Sequence, residues 1–148
     1  MTTLDGQRRE VALAETQAVL ALTKDSELRS ELAALVAEIE DGEVTEGAEL
    51  LEQVLELGLQ AGRIRAYYGP GGEQAALSTL RRLPRGRERA ESARDVSKAL
   101  QTFVGKSLEG VSIAAVAPGV FTLSLSADGF ETSVRLDASG VRLASVAT

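Results

Sequence analysis

Residues 120–137, VFTLSLSADGFETSVRLD, decide the fold. Apolar and polar side chains alternate on both sides of Asp128-Gly129. Phe121, Leu123 and Leu125 point one way, and Thr122, Ser124 and Ser126 the other. Phe130, Thr132, Val134 and Leu136 then share a face opposite Glu131, Ser133, Arg135 and Asp137. A period of two marks a strand with one buried and one wet side, and Asp-Gly between two such runs signals a hairpin. The pattern continues outward. Val111–Ala117 precedes it across the turn Pro118-Gly119, and Val141–Val146 follows it across Ala138-Ser139-Gly140. Residues 110–148 are therefore expected to form a three- or four-stranded antiparallel meander, greasy on the side that a helix covers.

Before Gly110 the period lengthens to three or four. Leu4–Thr23 carries Val11, Ala14, Ala18 and Leu22 at helical spacing. Asp25 or Ser26 caps a second helix with the stripe Leu28, Leu32, Leu35, Val36 and Ile39, unless Lys24-Asp25 only kinks one long helix over 5–40. Asp41-Gly42 ends that stripe. Thr45 is a suitable N-cap for a third helix, rich in Leu50, Leu51, Val54, Leu55, Leu57 and Leu59. It should run to about Ala66, where Gly69-Pro70-Gly71-Gly72 stops it. A short helix over Glu73–Leu83 ends at Pro84, Arg85-Gly86-Arg87 forms a basic turn, and a last helix spans about 88–108. The fold class is α+β: four to five helices over 1–109, then the meander over 110–148 packed on a helix, the two forming one compact domain.

Composition limits the chemistry. The 148 residues contain no His, Cys, Trp or Asn, so an imidazole base, a thiol nucleophile, a disulfide and an ordinary zinc site are all excluded. The core must be Leu, Val and Ala, because Phe and Tyr together number five. Arg far outnumbers Lys, and Ala, Gly, Leu and Glu abound, the pattern of a GC-rich bacterial genome. Neither a signal peptide nor a membrane span is visible, which gives a cytoplasmic expectation with no membrane partner. No phosphate loop, dinucleotide fingerprint or EF-hand loop occurs, so neither a cofactor nor a metal is expected. The carboxylate pairs Glu38 with Asp41 and Glu49 with Glu52 fall on an acidic helical surface and are expected to be solvated.

The net charge of −6 is unevenly spread. Residues 1–60 hold 14 acids and 4 bases, whereas residues 61–110 hold 10 bases and 5 acids. The acidic and basic parts either pack together or offer a basic face to an anion or an acidic partner. Overall acidity argues against nucleic acid as a partner.

Two clusters are candidate sites. The first is Gly62–Glu73, with Arg63, Arg65, Tyr67, Tyr68, Gly71 and Gly72, followed by Arg81, Arg82, Arg85 and Arg87. Arginine forks and free amides at a helix start suit phosphate or carboxylate. The same residues equally suit a helix end that complements its own dipole. The second is the leucine-rich surface of Leu28, Leu32, Leu35, Ile39, Leu51, Leu55 and Leu59, either an intermolecular helical interface or an internal hairpin. With catalytic residue types missing, the expected function is non-catalytic protein–protein interaction: an adaptor, regulatory subunit or assembly factor that binds another protein or itself as a homo-oligomer. The alternative is an anion- or nucleotide-responsive module using the loop 62–73.

Overall fold

The computed structural model describes residues 1–147. Its contacts group the chain into two compact units, one from Met1 to Arg87 and one from Glu88 on. The first long strand begins at Gly110, where the period changes, but the last helix ends at Leu100, short of the expected 108. The boundary by contact lies earlier still, inside that helix.

The first unit opens with β1 (Thr2–Thr3), followed by α1 (Gly6–Leu22), α2 (Ser26–Asp41), β2 (Glu43–Val44), α3 (Ala48–Gln60), α4 (Arg63–Arg82) and the start of α5 (Pro84–Leu100). β1 and β2 pair antiparallel, Thr2 with Val44 and Thr3 with Glu43, a small ribbon that the sequence pattern did not announce. α1 packs against α2, α3 and α4. Leu35, Ile39, Val44, Leu51, Leu55, Ile64 and Leu83 form the core and are fully buried. Each such side chain contributes roughly 1.5–3 kcal/mol over its exposed state.

α1 and α2 are two helices rather than one. Thr23 is extended, and Asp25 caps α2 by accepting from the Leu28 amide at 2.8 Å. The stripe of α1 is rotated from the expected one: Val11, Ala12, Glu15 and Thr16 are buried, while Leu22 is exposed. Thr45 does not cap α3. The Glu38 carboxylate reaches over from α2 and accepts from the Thr45 and Gly47 amides at 2.6 and 3.1 Å, which fixes the start of α3 at Ala48. α3 stops at Gln60, before the expected Ala66, and Gly62 in the left-handed region opens α4.

α4 runs through the Gly-Pro-Gly-Gly stretch that was expected to end a helix. Gly69, at φ 70° and ψ −172°, turns the chain as only glycine does readily, and Pro70 restarts the helix with its fixed φ. Pro84 likewise starts α5 instead of merely ending α4, and Arg85-Gly86-Arg87 is the first turn of that helix rather than a loop. Gly86 permits the sharp junction, since a Cβ there would overlap the Leu80 carbonyl.

The second unit holds the rest of α5, a 3₁₀ turn (Gln101–Phe103), and four antiparallel strands: β3 (Gly110–Ala117), β4 (Val120–Ala127), β5 (Phe130–Asp137) and β6 (Gly140–Ala147). Their order is β3-β4-β5-β6. Paired residues share a face, so the register collects the apolar side chains as the alternation implied. Leu123 stands opposite Ile113 and Val134, and Phe121 opposite Ala115 and Leu136. Val134 stands opposite Leu143, and Thr132 opposite Val146. Ser124 and Ser133 meet on the wet face, their hydroxyls 3.3 Å apart.

The Arg89 side chain lies where a Cβ on Gly140 would meet it, and the Lys106 ammonium sits 3.9 Å above the Phe130 ring. Gly140 and Phe130 flank opposite ends of β5, so α5 and the turn after it run along that strand. Thr132 and Val134 are buried there, but Val111, Ile113, Phe121, Leu143 and Val146 remain exposed on the same face. One helix covers the middle of the sheet and leaves its apolar flanks open.

Candidate functional site

The first cluster assembles around a residue outside the candidate set, Glu15. α1 carries it into the first unit at 2% exposure. Tyr68 donates its hydroxyl to Glu15 Oε1 at 3.1 Å, and Arg63 Nε lies 3.5 Å from the same oxygen. Gly58 of α3 lets the carboxylate in: a Cβ there would stand 2.9 Å from Glu15 Oε2. The Arg63 guanidinium also lies 5.6 Å from the centre of the exposed Tyr67 ring. Burial, then the bond to Glu15, pushes the Tyr68 hydroxyl above its ordinary pKa. Gly72 sits buried beneath Tyr68, whose Cβ a side chain at 72 would strike.

The remaining arginines divide. Arg65 lies 3.8 Å from Glu73. Arg85 lies 2.8 Å from Glu49 and 3.4 Å from Glu52, and its amide donates to Glu52 Oε1 at 3.0 Å. Glu52 is 2% exposed, not solvated as its neighbourhood suggested, and it caps α5. Arg81, Arg82 and Arg87 are exposed at the α4–α5 junction. Arg63 and Arg85 thus join the basic middle of the chain to the acidic first part inside one unit. Gly71 stands apart from the carboxylate cluster, in a groove of about 480 Å³ with Asp5, Arg8 and Ser78.

Of the second cluster, Leu32, Leu35, Ile39, Leu51 and Leu55 are buried within the first unit, and Leu28 and Leu59 are half-buried. Leu28 and Leu35 help floor a groove of about 430 Å³ between α2 and α3, with Glu31, Glu46 and Glu49 at its rim.

Glu15 and Glu52 were legible in principle. Glu15 stands four residues after Val11, and Glu52 four after Ala48, both in the line of buried positions. No group of three carboxylates among the described residues is placed to hold a metal ion, and no helix among them is long and apolar enough to cross a membrane.

Together these features define an α+β chain in which Arg63, Arg65 and Arg85 pair with carboxylates of the same chain and whose sheet is half uncovered. No protein-family model, curated protein or solved structure matches it.

Proposed function

We propose that this chain is a non-catalytic protein–protein interaction module of a bacterial cytoplasm, an adaptor, regulatory subunit or assembly factor. The observation that carries this reading is the open apolar face of the meander. Val111, Ile113, Phe121, Leu143 and Val146 share one side of one sheet and are all exposed, and Val104 and Leu108 are exposed just before β3. Apolar surface left open on the flanks of a sheet in this way marks interaction sites. The anion-responsive alternative has less support, because Arg63 and Arg65 each face a carboxylate of the same chain.

The test is capture of partners from a bacterial lysate by immobilised full-length protein and by a Phe121→Ser/Leu143→Ser variant. A partner held by the first and lost by the second, with an unchanged melting temperature, supports the reading. No partner together with a strictly monomeric chain by light scattering, or equal capture by both, sinks it.

A further inference from the structure

Resting on that reading and naming one partner for it, we propose that the free edge of β3 pairs antiparallel with the β3 edge of a second copy of this chain. Two four-stranded sheets would then join into one continuous sheet. The order β3-β4-β5-β6 leaves two edges, and each edge offers a row of backbone N–H and C=O groups to another strand. Proteins usually guard such an edge with charge, proline or a bulge. β6 carries Arg142 and a register shift against β5 between Ser133 and Val134. β3 is unguarded over most of its length. Its only irregularity lies between Ala115 and Ala117, and Gly110–Ala115 keep an unbroken register with β4.

Charge selects the occupant. Residues 110–127 contain no charged side chain, in a chain where 26% of residues are charged. Residues 1–60 hold 14 acids against 4 bases, so two copies of this acidic protein repel each other over much of their surface. They meet without like-charge opposition at β3. An isologous β3–β3 contact also closes on itself at two copies, whereas β3 against β6 would continue from copy to copy into a ring or a filament.

Geometry then fixes the register to a short set. Antiparallel self-pairing needs a two-fold axis perpendicular to the sheet, which keeps both apolar faces on the same side. Paired residues share a face, so a residue pairs only with one an even number of positions away, or with itself. It follows that one residue of β3 stands directly opposite its own copy. Val111 and Ile113, 59% and 63% exposed, then fall beside Val111, Ile113 or Ala115 of the other copy. Cross-strand pairs of β-branched side chains are among those that stabilise a sheet.

The experiment uses the full-length chain. Light scattering on a sizing column should give twice the monomer mass at micromolar concentration. Ser112→Lys/Ala114→Lys, which places charge against charge across the axis, should give the monomer mass with unchanged circular dichroism. Because the chain has no cysteine, each introduced thiol is the sole thiol in its variant, and Val111–Ala115 are exposed. A scan of V111C, S112C, I113C, A114C and A115C under mild oxidation should give one position of maximal disulfide-linked dimer, and S145C on β6 should give none. A monomeric wild type, a dimer that survives the lysine pair, or cross-linking at S145C but not in β3 would each overturn the proposal. A monomer that still captures a partner through Phe121 and Leu143 overturns self-pairing alone and leaves the interaction reading standing.

Discussion

Glu15 shows what a single residue decides in this molecule. A carboxylate at 2% exposure is unfavourable unless its charge and oxygens find partners: Tyr68 donates its hydroxyl, and the Arg63 guanidinium brings an opposite charge to 3.5 Å. The Tyr68 proton is therefore harder to remove in the folded chain than in the unfolded one. With the folded pKa raised, the hydroxyl's contribution to stability is fully present below the unfolded value of about 10 and is lost as pH rises through the raised folded value. Tyr67→Phe leaves Tyr68 as the sole tyrosine. Its phenolate absorbance should then titrate above the ordinary range, and adding Glu15→Gln should bring the midpoint down. A midpoint indifferent to Glu15→Gln would break the link between the two groups. Beside it, Gly72→Ala puts a methyl into the Tyr68 Cβ and should cost about 1–3 kcal/mol in urea unfolding, the usual penalty of overpacking.

At the scale of elements, three helices that start in the first unit are begun by carboxylates, two of them from elsewhere in the chain, whereas α1 and α4 start without a side-chain cap. Asp25 caps α2 locally, Glu38 of α2 caps α3, and Glu52 of α3 caps α5. Glu52→Ala removes an acceptor at the positive end of α5 and the buried counter-charge of Arg85 at once. It should cost about 3 kcal/mol in chemical unfolding, against about 1 kcal/mol for Glu52→Gln, which keeps an acceptor for the Arg85 amide. Equal losses would mean that charge, not capping, matters there. The remote caps also explain what the sequence hid. The meander, and the faces of β4 and β5, were legible from alternation, because period two has one geometric meaning. The helix ends at Thr45, Ala66 and Pro84 were not, because Glu38 and Gly62 moved two of them and Pro84 begins a helix as readily as it stops one. The candidate arginines were legible as a group and Glu15 and Glu52 as buried positions, but their pairing was not, because Arg63 and Arg85 lie far along the chain from the carboxylates they meet.

For the whole molecule, charge and apolar surface are separated along the chain. The first unit spends much of its charge on itself through Arg63, Arg65 and Arg85, while the second carries most of the large exposed apolar side chains. A protein that bears an open apolar face in its native state behaves differently from one that exposes such surface only on unfolding. An apolar fluorescent dye such as anilinonaphthalene sulfonate should bind the native chain at neutral pH without denaturant. Phe121→Ser/Leu143→Ser should remove most of that signal while circular dichroism and the melting temperature hold, because both side chains are already exposed. Pairing through β3 covers Val111 and Ile113 but leaves Phe121 and Leu143 accessible, so the dye signal should persist in the dimer and fall when a partner occupies the face. Dye binding that appears only on heating would mean that the face is closed in solution, and the interaction reading would then lose the observation on which it stands.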